Sequence, residues 1–102
     1  MQLPIFAKKV LIHQYIDHTL LGPLATKSAV EQLCKEAVKY KFEAVCLPGC
    51  YVKMAADLLH DSEVKVCTVV GFPLGYNSTA AKTAEAKTSI EAGADEIDMV
   101  IN

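Results

Sequence analysis

The segment GADEIDMVIN, residues 93–102, joins the end of a helical run to an apolar strand. Gly93 is well suited to end a helix, because glycine adopts the left-handed backbone conformation of a C-cap without strain. From Glu96 onward, aliphatic side chains recur at every second position, as they do in a strand that presents two different faces. A helix that leads directly into such a strand is typical of a parallel βαβ unit.

The same succession of strands and helices extends back along the chain. Strands are predicted at Tyr15–Thr19, Phe42–Leu47, Val64–Val70 and Glu96–Asn102. Helices are predicted at Thr26–Tyr40, after Pro48-Gly49, and from Ser78 or Thr79 to Gly93. Strands that alternate with helices of this length indicate an α/β fold with a parallel sheet. The predicted fold class is half of a TIM (β/α)8 barrel, with about four parallel strands and three intervening helices.

Helical spacing supports the first two helices. The apolar stripe of the first comprises Val30, Leu33, Cys34, Ala37 and Val38. This spacing predicts a helix that lies on a sheet. Either Thr26, or Ser28 with Glu31 as a capping box, is expected to begin it. The second helix is expected to turn one face inward, formed by Tyr51, Met54, Ala55 and Leu58.

The chain is expected to form a single partial domain over residues 1–102, with residues 1–12 as an N-terminal extension. Its sequence stops at or inside an apolar strand, at Met99-Val100-Ile101-Asn102. Four parallel strands with helices on one side also leave two open edges and a bare inner face. We therefore expect the chain to be part of something larger.

Composition and charge narrow the classes of function. Of the 102 residues, 52% are hydrophobic and 22% are charged, which is typical of a globular protein. The net charge is −2, and all ten basic residues are lysines scattered among acidic residues. Nucleic-acid binding normally shows a basic patch with arginine side chains, so this class of partner is excluded.

Targeting signals and cysteine usage indicate the compartment. No apolar run approaches the ~18 residues that span a bilayer, and the start lacks the order of a signal peptide. These features predict a cytoplasmic protein with no membrane partner. The four cysteines, Cys34, Cys46, Cys50 and Cys67, are therefore expected to be reduced. The spacing of Cys46 and Cys50 matches no zinc motif, and no metal site is predicted.

Two acidic residues stand inside predicted strands, where a carboxylate is unusual. Asp98 falls between Ile97 and Met99, whose side chains belong under the helices, so strand alternation points Asp98 into the barrel. A partner is expected there, because burying an unpaired charge is costly. Catalytic groups of such barrels come from the strands and their carboxyl ends. Asp98 is therefore a candidate catalytic residue, and Asp17 is a second one that could equally bind local backbone.

Two weaker signals accompany the carboxylates. The segment GFPLG, residues 71–75, is either a rigid turn or a loop on the active face, and it matches neither glycine-rich nucleotide motif. The histidines His13, His18 and His60 have no ligand spacing. His18 faces away from its neighbour Asp17 on the strand, and it is expected to pack or hydrogen-bond rather than to act as a base.

Four segments resemble motifs of the deoxyribose-phosphate aldolase family. IDHTLL at 16–21 is similar to the family's first strand, and AVCLP at 44–48 is similar to its second. VCTVVGFPLG at 66–75 resembles the third strand with its loop, and GADEIDMVIN at 93–102 resembles the fourth. The four motifs occur in the family's order and spacing. Together they identify the chain as the N-terminal half of such an aldolase.

The resemblance implies a class I aldolase that joins acetaldehyde and glyceraldehyde 3-phosphate reversibly into 2-deoxyribose 5-phosphate. It implies a lysine Schiff base, phosphorylated-sugar and small-aldehyde substrates, and neither metal nor cofactor. The matching positions make Asp98 the carboxylate of a proton relay and Asp17 a second polar group that faces the substrate. The pocket residues that it implies are Cys46, Leu21, Val69 and Phe72.

The nucleophile is the feature that the sequence does not supply. The resemblance places the Schiff-base lysine and the phosphate-binding loops beyond residue 102. Lys65 begins a strand at the wrong end of the barrel, and no other lysine is expected at the carboxyl end of a strand. A Schiff base needs a lysine with a depressed pKa beside the substrate, so the 102-residue polypeptide alone is predicted to be inactive.

Two other hypotheses stay open. The chain could be a non-catalytic half-barrel that associates with itself into a dimeric, eight-stranded barrel. It could also belong to a different phosphate-sugar barrel enzyme, because fold alone does not determine chemistry. The expected macromolecular partner is accordingly a second copy of the chain, in a homo-oligomer, or the missing C-terminal half-barrel.

Overall fold

The computed structural model describes residues 11–102, so most of the predicted N-terminal extension (1–12) lies outside the described residues. The strands are β1 (Asp17–Thr19), β2 (Ala44–Leu47), β3 (Lys65–Val70) and β4 (Glu96–Met99). The helices are α1 (Lys27–Tyr40), α2 (Val52–Leu58) and α3 (Thr79–Ala92). Short 3-10 helices cover Ile12–Tyr15 and Gly49–Tyr51. None of the helices among residues 11–102 is long and apolar enough to cross a membrane.

The four strands form one parallel sheet in the order β1-β2-β3-β4. Each strand pairs with the next one in the sequence, and a helix follows each of the first three strands. Sequential parallel pairing with intervening helices is the arrangement of a (β/α)8 barrel. The structure thus confirms the predicted fold class, a partial barrel of four strands and three helices.

The outer two strands are shorter than the sequence predicted. Tyr15 ends the first 3-10 helix, so β1 begins only at Asp17. At the other end, Met99 pairs with Val70, the last residue of β3. Residues after Met99 have no further strand position on β3 to pair with, and β4 therefore ends three residues earlier than predicted.

The main core lies between the sheet and the first two helices. Val30, Leu33 and Ala37 of α1 are buried against Val45 and Leu47 of β2. Thr26 caps α1, since its side-chain oxygen accepts a hydrogen bond from the backbone N–H of Ala29 at 3.2 Å. The structure therefore selects Thr26 from the two predicted helix starts.

Two predicted core residues are instead half exposed. Val38 of α1 is 46% exposed and Leu58 of α2 is 49% exposed, and both line a surface groove between these helices. The other residues predicted for the α2 face pack in or against the core as expected: Tyr51, Met54 and Ala55. Val52 and Leu59 are also buried, so the inward side of this segment includes Leu59 rather than Leu58.

Gly93 ends α3 as predicted. Its φ is 114°, and its N–H donates a hydrogen bond to the carbonyl of Ile90. A Cβ at this position would lie 2.7 Å from the Cβ of Ala56 in α2. The backbone conformation and the close approach of α2 both require glycine.

Candidate active site

The face of the sheet that turns away from the helices brings together residues from all four strands. Side chains alternate along a strand, and the register places neighbours of like orientation side by side. We call this surface the inner face. Its residues on the strands are Asp17, Thr19, Ala44, Cys46, Lys65, Cys67, Val69, Glu96 and Asp98.

Cys46, Cys67 and Asp98 form a tight cluster on the inner face. The two Sγ atoms and a carboxylate oxygen all lie within 4.8 Å of one another. Cys46 and Cys67 are 4% and 1% exposed, whereas Asp98 is exposed. The predicted orientation of Asp98 is therefore confirmed, but its predicted burial is wrong, because solvent reaches the carboxylate on this open face.

The surroundings keep both thiols of the cluster protonated. Burial raises the pKa of the Cys67 thiol strongly, and the neighbouring Cys46 and Asp98 raise it further. Burial also raises the pKa of Cys46, and the carboxylates of Asp98 and Asp17 act in the same direction. A buried thiol close to negative charge is a poor nucleophile. The cysteines are therefore pocket walls at neutral pH rather than attacking groups.

Two of the predicted apolar wall residues join this cluster. Leu21 and Val69 are partly buried and pack against a buried group of small side chains, Ala44, Cys46 and Cys67. Asp98 pairs with Val69 across the two strands. A carboxylate thus lies beside an apolar surface on the inner face.

Asp17 shares the inner face but lies at a different level. It pairs with Ala44, whereas Cys46 is the next residue of β2 on that face. Asp98 stands one further step toward the carboxyl ends, opposite Val69. Asp17 is therefore two steps nearer the amino ends of the strands than Asp98, which places it deeper below the carboxyl edge.

Comparison with known proteins finds relatives that match most of the chain. No family model matches the chain. Deoxyribose-phosphate aldolase of Metamycoplasma hominis is 55% identical over 91 residues, which are 89% of this chain and 42% of the relative. The Natranaerobius thermophilus enzyme of the same name is 56% identical over 91 residues, which are 89% of this chain and 41% of the relative.

The search of solved structures finds proteins of the same name as the sequence relatives. A tetrameric deoxyribose phosphate aldolase from Aeropyrum pernix matches with a TM-score of 0.83 and 41% identity. The match covers 88% of this chain and 38% of that one. The chain is thus similar to deoxyribose-phosphate aldolases over 88–89% of its own length. It spans about two fifths of the length of the curated relatives that it matches.

Phe72 is the remaining predicted pocket residue, and it lies outside the cluster of Cys46, Cys67 and Asp98. It is 47% exposed in the loop that follows β3. Gly71 and Gly75 shape this loop with φ values of 63° and 75°. Glu85 of α3 anchors it, because its carboxylate accepts a hydrogen bond from the N–H of Gly71 at 2.8 Å. Phe72 thus stands in the loop at the carboxyl edge and does not belong to the packed group that Leu21 and Val69 join.

Lys82 makes a contact that the sequence did not predict. It belongs to α3, as predicted, but its Nζ donates a hydrogen bond to Oδ1 of Asn102 at 2.6 Å. It thereby lines a cavity of about 380 Å³ with Ile97 and Met99, which belong to the helix side of β4. The amine reaches the carboxyl edge of the sheet, on the opposite face from Asp98.

Two of the histidines, His18 and His13, make structural contacts. His18 turns to the helix side, and its Nε2 lies 3.0 Å from Oε1 of Glu36 in α1. Its ring also packs on Phe42 at 5.2 Å between centroids. His13 hydrogen-bonds the carbonyl of Lys41 at 2.9 Å. The predicted packing and hydrogen-bonding role of His18 is confirmed.

Proposed function

We propose that this chain forms one side of the active site of a deoxyribose-phosphate aldolase. The reaction is the reversible cleavage of 2-deoxyribose 5-phosphate into acetaldehyde and glyceraldehyde 3-phosphate through a lysine Schiff base. The observation that carries the proposal is the position of Asp98 among Cys46, Leu21 and Val69 on the inner face. This combination offers a proton-transfer group beside an apolar surface that fits a small aldehyde.

Asp98 is the proposed proton-transfer group. Forming or breaking the carbon–carbon bond beside a Schiff base requires a proton to move at the substrate carbon. The Asp98 carboxylate is exposed on the inner face, so a bound substrate can reach it. Asp17, lower on the same face, is the proposed second polar contact, and Phe72 is proposed to border the pocket at the carboxyl edge.

The proposed nucleophile comes from outside this chain. Among residues 11–102, Lys65 is the lysine whose strand position turns it to the inner face, at the amino end of β3. Its Nζ lies 2.9 Å from Oε1 of Glu43, and this contact raises the pKa of Lys65. A Schiff-base lysine needs the opposite shift. The proposal therefore assigns the amine to the portion of the relatives that this chain does not span.

A chimaera tests the proposal. The segment of the Metamycoplasma hominis aldolase that matches this chain is replaced by the chain itself, and retro-aldol turnover of 2-deoxyribose 5-phosphate is measured. We expect turnover from the chimaera, borohydride trapping of substrate on a lysine from the relative's portion, and no turnover from the 102-residue chain alone. Trapping on Lys65 or Lys82, or turnover by the chain alone, would overturn the proposal.

Self-association is a second candidate, favoured by the open sheet. Within the described residues, β1 and β4 each pair with one strand only, and Asp98 is exposed on the inner face. Two copies could close an eight-stranded barrel about a two-fold axis. Native mass spectrometry separates the cases, since a mass of twice the chain supports a homo-oligomer and a monomer supports the missing half-barrel as partner. The cytoplasmic location stays a prediction under both.

A further inference from the structure

The cluster of Cys46, Cys67 and Asp98 has a chemistry that proton transfer does not use. Three adjacent strands each contribute one side chain to it. Cys46 lies directly opposite Cys67 in the register of β2 and β3. Asp98 lies opposite Val69, the next inner-face residue of β3. Two thiols and one carboxylate thus converge on one point of a rigid sheet, and their ligand atoms lie within 4.8 Å of one another.

We infer that Cys46, Cys67 and Asp98 form a binding site for a thiophilic divalent cation of the Zn²⁺ class. Tetrahedral zinc with ligands at about 2.3 Å holds them roughly 3.8 Å apart. The ligand atoms of the cluster lie within 4.8 Å of one another, so their separations exceed that value by at most about 1 Å. Three protein ligands leave the fourth position for water, as in open zinc sites.

The charge around the cluster favours a cation. Asp17 and Glu96 lie on the same inner face as Asp98, so three carboxylates surround the two thiols. Lys65 is the lysine of this face among the described residues, and it is engaged by Glu43. A divalent ion at the cluster would offset the negative charge of these three carboxylates.

Burial determines how the metal reaches the site, and the type of ligand determines which metals it selects. The two cysteines are almost completely buried, while the Asp98 carboxylate is exposed and opens the cluster to solvent. Thiolate ligands prefer zinc and cadmium over magnesium and calcium, which take oxygen ligands. The site is therefore expected to discriminate against Mg²⁺.

Metal binding here has a consequence for the proposed aldolase but does not rest on it. An ion that takes Asp98 as a ligand withdraws this carboxylate from proton transfer, and the ion would inhibit turnover in the chimaera. Binding itself is a property of three side chains in this chain. It is measurable without substrate, so its failure and the failure of the aldolase proposal are separate results.

Cadmium is the probe for the test, because its thiolate complexes absorb in the near ultraviolet. Cd²⁺ is titrated into the reduced 102-residue chain, and we expect saturation at one ion per chain with absorption from two thiolates. The Cys67→Ser and Asp98→Asn variants remove one ligand each. The matched control is Cys50→Ser, because Cys50 is exposed and lies outside the cluster. Circular dichroism monitors folding of each variant.

The expected result is affinity reduced more than about 100-fold in Cys67→Ser, since outer-shell changes alone cost about 10–100-fold. Cys50→Ser should bind as the unaltered chain does. Absence of the absorption in the unaltered chain, or its loss in Cys50→Ser with retention in Cys67→Ser, overturns the inference.

A second measurement uses the unaltered chain and does not depend on the folding of a variant. Zn²⁺ is titrated into the reduced chain in a weakly buffered solution near neutral pH, and the released protons are counted with a pH indicator. Both thiols of the cluster are protonated without metal, so we expect about two protons to be released for each Zn²⁺ bound. Mg²⁺ is the control and should release none. Binding of Zn²⁺ without proton release contradicts the site.

Discussion

Cys46 and Cys67 lie directly opposite each other on adjacent parallel strands, and both side chains turn away from the helices. The pair forms the floor of the inner face, over which Asp98 projects from the next strand. This arrangement follows from sheet register, because parallel strands in register place like-oriented side chains in rows. The same rows that build a pocket wall for an aldehyde thus also build a candidate metal site.

Gly93 gives the first test of the fold. Replacing it with alanine forces a Cβ to within 2.7 Å of Ala56 and strains a backbone with φ of 114°. We expect Gly93→Ala to lower the free energy of unfolding by about 1–3 kcal/mol, measured by urea denaturation. Gly22→Ala is the control, because a Cβ there meets nothing within 4 Å. Equal effects of the two substitutions would contradict this packing.

Thr68 tests the buried polar contact on the helix side of β3. It is completely buried, and its hydroxyl donates a hydrogen bond to the carbonyl of Leu47 at 2.8 Å. Thr68→Val keeps the shape but removes the donor, and we expect a loss of about 1–3 kcal/mol in the free energy of unfolding. In the control Thr83→Val the lost bond is exposed, so water replaces it and the loss should be smaller.

Glu36 gives a pH dependence with a defined sign. Its hydrogen bond from His18 holds the pKa of the Glu36 carboxyl below its ordinary value. A lowered folded-state pKa means that the contribution to stability is complete above the unfolded-state pKa and is lost as pH falls through the folded value. We expect Glu36→Gln to reduce the loss of stability between about pH 6 and pH 3. The measurement is the urea midpoint at each pH.

The control for this pH series is Glu63→Gln, at an exposed residue outside α1. Glu36 is itself accessible to solvent, so the expected difference is small and should shrink at high salt. An unchanged pH profile in Glu36→Gln would show that the contact with His18 does not contribute to stability.

The sequence predicted what depends on local pattern. The face of Asp98 follows from strand alternation alone, and Gly93 is a recognisable C-cap. The start of α3 was left between Ser78 and Thr79, and the structure selects Ser78 as the N-cap. The alternation of strands and helices is likewise local, and it determined the fold class. Such features need only the residues near them in the chain, which is why the parallel order of four strands could be predicted.

Features that depend on register or on turn geometry could not be predicted. Cys67 stands 21 positions after Cys46, and only strand pairing makes them neighbours. Leu59 lies in the turn after α2 and is buried in the core, whereas the predicted Leu58 is half exposed. Asp98 is exposed because the inner face is open in the described residues, whereas the prediction assumed a closed barrel.

The most direct test of the central claim is the Asp98→Asn substitution in the chimaera with the Metamycoplasma hominis relative. General acid–base groups contribute about 10²–10⁴-fold, so we predict a fall in kcat of at least about 100-fold. Borohydride trapping of the Schiff base should persist. Asp61→Asn is the control, because that side chain is 99% exposed and distant from the inner face. A kcat in Asp98→Asn equal to that of the control would contradict the account.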